Sequence, residues 1–308
     1  MRNISVIIPV FNEEESIGRL YQAAKPVLDS LKTAYELILV DDGSSDGTAA
    51  ALERIHASDR TVKVITLRRN FGQTAAMSAG IDHAGGDIII TMDADLQNDP
   101  ADIPRLLEKM SEGCDIVSGW RRDRKDKALS RKLPSQIANW MIGMITGVRI
   151  HDYGCTLKAY RASLLKELPL YSDMHRFIPA LAALAGARVA EITVKHHPRR
   201  FGKSKYGISR TFKVLCDVMT VKLIIHFSSH PMAMFAFLAT FFTFIGSIFG
   251  VQSLLIHLSR PSHVLTPLVH PTVSLLFFAL GLYLFVLGIL SEFILKVSDH
   301  RLFEMNSR

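Results

Sequence analysis

The chemistry of this chain begins at "MDADLQ", Met92 to Gln97. Asp93 and Asp95 stand two residues apart, and residues at that spacing on an extended chain point the same way. Two carboxylates side by side repel unless a cation lies between them. Their hard oxygens suit Mg2+ or Mn2+, which keep waters and bind through one or two carboxylates plus substrate phosphates. The pair reads as half of a metal site, completed by a diphosphate. The plain alternative is a solvated acidic turn, and that describes Asp99, just before Pro100 at an expected helix start. A second acidic run, "VDDGSSDGT" from Val40 to Thr48, offers Asp41 or Asp42 as acceptors for a base N–H or a ribose hydroxyl. Gly43 and the serines let a backbone come close. Asp46 and Thr48 are read as a turn and helix cap, and Asp42 as the ligand-binding acid.

These residues must be positioned by strand ends. "ISVIIPV", "YELILVDD", "VKVITL", "DIIITMD" and "DIVSG" read as strands. The stretches "EEESIGRLYQAAKPVLDSL", "DGTAAALERIHA", "QTAAMSAGIDHAG" and "PADIPRLLEKMSEG" read as helices, the second with Asp46 as its N-cap. Strands separated by helices indicate βαβ units and a mostly parallel sheet. In open sheets of this kind, ligands bind outside the carboxyl ends of the strands. "PVFNE" ends the first strand, "VDDGSSDGT" the second and "MDADLQ" the fourth. Acids there face a crevice, since burying them unpaired in the core would be costly. Beyond Gly119 the pattern loosens. "RRDRKDKALSRK" is a charged loop and "LPSQIANWMIGMITG" an amphipathic helix. "GISRTFKVLCDVMTVKLIIHF" is amphipathic too, and suited to lie flat in a membrane interface.

The 308 residues are 48% hydrophobic, and the mean hydropathy of +0.20 is high for a soluble protein. Two apolar stretches explain it, Met232 to Leu258 and Thr272 to Leu295. The first has no Asp, Glu, Lys or Arg, and the second only Glu292. Each is long enough to cross a hydrocarbon core of roughly 30 Å as a helix. Lys195 to Lys222 is rich in Lys and Arg, whereas the loop Ser259 to Pro271 carries only Arg260. The positive-inside rule then puts both termini in the cytoplasm, as expected of a multi-pass protein of the cytoplasmic (inner) membrane. Cys114, Cys155 and Cys216 form no C-x-x-C pair and read as free thiols in a reducing compartment. "MRNISVIIPVFNEEE" is not read as a signal peptide, because its apolar run is short, contains Pro9 and ends in glutamates. The expected organisation is a cytoplasmic catalytic domain at 1–194, a basic juxtamembrane segment at 195–230, two transmembrane helices within 231–297 and a tail at 298–308.

"PVFNE", "VDDGSSDGT", "RRNFGQTAAMSAG", "GGDIIITMDADLQNDP", "RKLPSQIAN" and "HHPRRFGKSKYG" occur in this order before the apolar hairpin. The chain thereby resembles the polyprenyl-phosphate glycosyltransferases of glycosyltransferase family 2. These are enzymes like dolichyl-phosphate mannose synthase and the bacterial two-span glucosyltransferases acting on undecaprenyl phosphate. By motif the resemblance covers residues 1 to about 230, and by architecture the rest. It implies a GT-A fold (Rossmann-like, with a mostly parallel sheet), a nucleotide-sugar donor, Mg2+ or Mn2+, and inversion at the anomeric carbon. Matched position by position, it implies nucleotide-sugar binding by Pro9, Phe11, Glu13, Asp42, Asp93, Ala94, Asp95, Gln97 and Arg121, with metal at Asp93, Asp95 and Gln97. Arg131, Ser135 and Asn139 match an acceptor-helix motif whose spacing of four puts them on one face. Asp152 matches an acceptor-side catalytic or positioning carboxylate, and Lys158, Arg199 and Lys205 match phosphate contacts. A basic patch for anionic lipid is the other reading of Arg199, Arg200 and Lys205.

The implied acceptor is a lipid monophosphate whose second pKa, about 6, already supplies a nucleophilic oxygen at neutral pH. Positioning and leaving-group stabilisation then dominate, with Asp95, Arg131 and Asp152 as the catalytic candidates. The expected reaction transfers glucose from UDP-glucose to undecaprenyl phosphate. GDP-mannose, UDP-N-acetylglucosamine and UDP-4-amino-4-deoxyarabinose stay open as donors, and so does a homo-oligomeric state. A processive polysaccharide synthase would need Q-x-x-R-W and more spans, and "QIANW" has Asn139 where Arg is required. A degenerate, noncatalytic sensor is disfavoured by the intact Asp42, Asp93 and Asp95. A nucleic-acid partner for the net charge of +7 is disfavoured because the basic residues cluster beside the apolar spans.

Overall fold

The computed structural model describes residues 3–122, 143, 147–148, 150–168, 174–184, 186–198, 231–259 and 268–305. The chain divides into two compact units, Met1–Met219 and Thr220–Arg308.

In the first unit, β1 (Ile4–Val10) leads into α1 (Glu14–Ser30), β2 (Tyr35–Asp41) into α2 (Thr48–Ser58), and β3 (Val62–Thr66) into α3 (Gln73–His83). Next come β4 (Ile88–Thr91), α4 (Ile103–Ser111), β5 (Ile116–Trp120), β6 (Lys158–Arg161), α5 (Ala162–Glu167), α6 (Ile178–Leu184) and β7 (Val189–Thr193). The strand order is β3-β2-β1-β4-β6-β5-β7. Parallel pairing joins β1 to β2 and β4, β2 to β3, and β5 to β7. Among the described strands of the sheet, only β6 runs against its neighbours, β4 and β5.

Helices on both faces bury the central strands, which is why these read as continuous apolar runs. Val6, Ile8, Leu37, Leu39 and Ile90 pack with Leu20, Leu28, Leu52 and Leu106 on one face. Ile7, Ile38, Val40 and Ile89 pack with Ala76, Met77 and Ile81 on the other. Gly80 lets α3 sit close to the sheet, since a Cβ there would fall 2.4 Å from Ile7 Cγ2. The carboxyl ends of all the parallel strands share one edge, and the chemistry gathers there.

Three local expectations change. β4 ends at Thr91, so Asp93 and Asp95 lie in the loop beyond it rather than on an alternating strand, in a turn where Leu96 has φ +61°. Gly47, not Asp46, is the N-cap position of α2. Asp46 instead closes a local turn, accepting from Thr48 N at 3.0 Å and from Thr48 Oγ1. β6 inserts between β4 and β5, which no local pattern announced. The expected helix "LPSQIANWMIGMITG" lies almost wholly outside the described residues, and "GISRTFKVLCDVMTVKLIIHF" entirely so.

The second unit contains α7 (Pro231–Ser259) and α8 (Val269–Met305), which form an antiparallel hairpin. Ser274, Gly281 and Gly288, seven residues apart, carry its seam. Cβ atoms at Gly281 and Gly288 would fall 2.4 Å from Thr243 Oγ1 and 2.9 Å from Phe235 Cβ. Ser274 Oγ donates to Gly246 O at 2.8 Å. Small residues let the helix backbones approach where packing, not water exclusion, drives association. Phe237, Phe244, Leu255, Leu275, Leu282 and Phe293 face outward and exposed. Both helices are long and apolar enough to cross a membrane, and such an outer surface suits lipid.

Candidate active site

The first two strand ends are stitched together. Asn12, at φ +52° just past β1, donates its N–H to Ser44 Oγ (2.9 Å) and accepts from Ser45 N (2.8 Å). Glu13 N donates to Thr48 Oγ1 at 2.9 Å. Pro9 and Phe11 are half-buried beside this junction. Asp41 Oδ1 accepts from Ser44 N at 3.0 Å. Asp42, expected to bind base or ribose, is only 2% exposed. Its Oδ1 accepts from Phe71 N (2.8 Å) and its Oδ2 from Gly72 N (2.9 Å). Asp42 therefore clamps the loop between β3 and α3. Gly43, at φ +68°, lies so close to this loop that a Cβ would meet Arg69 C at 2.4 Å.

Beyond β4, Asp93 and Asp95 do come together, with the buried Ala94 between them. Burial pushes the Asp93 carboxyl up to about 6, and the charge of Asp95 adds to the rise. Thr156, Arg121 and Gln73 oppose it. Gln73 Nε2 donates to Asp93 Oδ1 (2.7 Å) and Thr156 Oγ1 to Asp93 Oδ2 (2.5 Å). Asp95 Oδ1 accepts from Gln97 N at 3.1 Å. The Gln97 amide, expected among the metal ligands, reaches toward a strap that follows β7. Its Nε2 lies 3.5 Å from His196 Nε2 and from His197 O. Asn98 bridges to His196, and Asp99 Oδ2 lies 3.3 Å from His197 Nε2. Asp99 also caps the turn at Pro100 by accepting from Ala101 N, as its place before proline led one to expect.

The third cluster is a buried ion pair. Arg121 Nε donates to Asp152 Oδ2 at 2.7 Å and Nη2 to Oδ1 at 3.0 Å, with side-chain exposures of 11% and 8%. Such a bidentate fork fixes the carboxylate in plane as well as in charge. Glu191 on β7 accepts from His151 N, and Trp120 stacks on the His151 ring at 4.2 Å, so the turn bearing Asp152 is anchored from two sides. Lys158, expected to meet phosphate, is buried instead. It is 2% exposed, its Nζ donates to Tyr153 O at 3.0 Å, and burial pushes its ammonium down to about 8. Arg131, Ser135, Asn139, Arg199 and Lys205 lie outside the described residues.

Sequence reasoning passed over Gln73 and Thr156. Their one signal was position: Gln73 opens a helix after a glycine, at the strand-end edge.

Among the described residues, no three His, Cys, Asp or Glu side chains gather into a complete metal cage. The donor set fits a cation of another kind. Two neighbouring carboxylates, one of them raised by burial and by the other, form an anionic pair that a divalent ion would relieve. Hard oxygens from two acids leave coordination positions for a diphosphate and water. Asp95 and Asp93 are the residues that would hold it.

A reversed β6 in a mostly parallel sheet, with acids lining its carboxyl edge, defines a GT-A-like domain. Its fold is similar to that of glucosyl-3-phosphoglycerate synthase from Mycobacterium tuberculosis, solved in complex with Mn2+ and uridine-diphosphate-glucose. The TM-score is 0.56 at 20% identity, over 72% of this chain and 78% of that one. The profile of glycosyl transferase family 2 matches residues 5–169, more than half of the chain. The chain belongs to that family and is a glycosyltransferase. It is 48% identical over 232 residues to the dodecaprenyl-phosphate galacturonate synthase of Rhizobium johnstonii, covering 74% of this chain and 69% of that one. It is 39% identical over 300 residues to the undecaprenyl-phosphate 4-deoxy-4-formamido-L-arabinose transferase of Shewanella sediminis, covering 97% and 89%. Neither relative is named for glucose, the sugar expected from the two-span layout.

Proposed function

We propose that this protein transfers a single sugar from a nucleotide sugar to a polyprenyl phosphate at the cytoplasmic face of a membrane, with inversion at the anomeric carbon. The observation that carries the reading is the convergence of Asp93, Asp95 and the Arg121–Asp152 pair at one sheet edge. The likeness along nearly the whole chain to a transferase named for undecaprenyl phosphate supports the acceptor. The relatives' names favour a uronate or a formamido-pentose over glucose or mannose; UDP stays the preferred nucleotide on the family resemblance.

An oxygen of the lipid phosphate attacks the anomeric carbon, and the bond from that carbon to the nucleoside diphosphate breaks. A phosphate oxygen is already a nucleophile at neutral pH, so no strong base is required. That agrees with Asp152 being engaged on both oxygens by Arg121: it orients the guanidinium rather than taking a proton. Arg121 is near enough for its charge to act on Asp93, and so is placed to meet donor phosphates. A divalent cation on Asp95 and Asp93, with Gln97 beside them, would offset charge on the departing diphosphate. Pro9, Phe11 and Glu13 line the nucleotide end, and Asp42 shapes it through the Phe71–Gly72 backbone. Lys158 supports the turn bearing Asp152 from below. Arg131, Ser135, Asn139, Arg199 and Lys205 keep the acceptor-phosphate role given by their motifs, and the apolar hairpin holds the domain where the lipid head lies.

The test is transfer by the full chain in detergent, with undecaprenyl phosphate, Mn2+ or Mg2+, and a panel of labelled UDP-sugars and GDP-mannose. A lipid-linked sugar whose formation stops on chelation is expected. Failure of every donor to label the lipid would sink the reading.

A further inference from the structure

We infer that Gln73 is a positioning residue for the transfer reaction, holding Asp93 in the orientation that the metal and diphosphate require. The inference rests on the reading of Asp93 and Asp95 as the metal site. Its ground is geometry. The two Asp93 oxygens accept from side chains on different elements, Gln73 Nε2 at the first turn of α3 and Thr156 Oγ1 before β6. The carboxylate is gripped from both sides.

The grip is itself held. Gln73 is the first residue of α3, and its N-cap Gly72 has φ +97°, in the left-handed region that favours glycine. A Cβ at Gly72 would meet nothing within 4 Å, so the glycine serves conformation and not space. On one side of Gln73, Asp42 fixes Phe71 N and Gly72 N. On the other, Thr74 Oγ1 lies 2.7 Å from the buried His175 Nδ1. The Gln73 backbone is held before and after, and its side chain reaches Asp93 in the acidic loop beyond β4.

The chemistry explains why an amide stands there. Asp93 beside the like charge of Asp95 would turn away from it unless donors hold its carboxylate in place. A lysine or arginine would do that and also neutralise the charge that should bind the cation. Neutral donors orient the carboxylate and leave its charge for the metal. Partners of this kind behind a metal ligand are worth about ten- to a hundredfold in metal affinity or activity.

The experiment titrates the full chain in detergent with Mn2+ in the presence of UDP, reading the loss of the free-Mn2+ electron paramagnetic resonance signal. Gln73→Met keeps the length and removes the donor. Gln73→Ala removes the side chain at a helix-start position that tolerates it, and decides the matter should the Met variant fold poorly. Each folded variant is expected to weaken UDP-dependent Mn2+ binding by about tenfold or more, with an unchanged melting temperature. Sugar transfer should lose kcat while the KM for lipid phosphate stays put. A folded variant that binds Mn2+ with UDP as tightly as the parent overturns the inference and leaves the metal-site reading standing. A parent chain with no UDP-dependent Mn2+ binding overturns both.

Discussion

Asp41 and Asp42 at the end of β2, and Asp93 and Asp95 beyond β4, are the same residue type at the same sheet edge in opposite circumstances. The β2 acids are sealed in, 1% and 2% exposed, and accept from the backbone N–H groups of Ser44, Phe71 and Gly72. Asp95 also accepts one backbone N–H, from Gln97, but the two β4 acids lie close enough for the charge of Asp95 to raise the proton affinity of Asp93, which is held by side-chain donors. Backbone N–H groups make an acid part of the fold. A second acid close by, with neutral side-chain donors on Asp93 and the Arg121 charge relieving the pair only in part, leaves negative charge for a ligand. Asp152 is a third case, because a guanidinium satisfies it.

The comparison can be broken most forcefully at that third acid. Asp152→Ala leaves Arg121 charged and buried without its fork, and removing one partner of such a pair costs about 3–5 kcal/mol. Urea unfolding of the detergent-solubilised chain measures it. A loss below about 1 kcal/mol would mean that the pair behaves as a surface bridge. Next in size, Asp95→Asn should cut sugar transfer at least about a hundredfold, or about 2.7 kcal/mol of barrier. Its unfolding free energy should stay level or rise, because a like charge close to Asp93 is gone. Transfer at the parent rate would remove Asp95 from the metal site. Asp42→Asn should do the reverse, costing about 2 kcal/mol of stability as a charged acceptor of two backbone N–H groups is lost, with a smaller fall in transfer than Asp95→Asn. If Asp42→Asn were stable and inactive, the two acid pairs would be alike after all.

The contrast marks how far the sequence could be read. β1 to β5 and their helices were legible, because buried parallel strands and amphipathic helices leave local patterns. The edge that collects the acids followed from strand polarity alone. What a residue touches across the fold left no such trace. Asp42 was read as a ligand-binding acid, and its hydrogen bonds to Phe71 and Gly72, 29 and 30 positions away in a loop with no pattern of its own, could not be foreseen. Gln73 was read past because a glutamine at a helix start is unremarkable until Asp93 is brought against it. Lys158 resembled a phosphate contact by motif, but β6 is a four-residue strand slotted between β4 and β5, and that pairing buries the lysine. Arg121 and Asp152 were each named, yet as separate contacts. Their 31-residue separation hid the pairing.

Lys158 supplies the smallest and cleanest test of that burial. Its ammonium is pushed down to about 8, chiefly by desolvation, whereas lysine in an unfolded chain ionises near 10.4. Between these values the unfolded chain binds more protons than the folded one. Folding stability must then rise with pH across the window, the sign opposite to that of a salt-bridged lysine. From pH 7 to pH 9 the gain from this one group is about 1 kcal/mol. Lys158→Met keeps the buried stem and removes the titrating head, so it should flatten the slope between those pH values in urea unfolding. Asp42→Asn should leave the slope intact, because that residue lies on the far side of the sheet's centre, across β1 and β4. An unchanged slope in Lys158→Met would mean that the lysine reaches solvent or a phosphate, returning it to the binding role its motif first suggested.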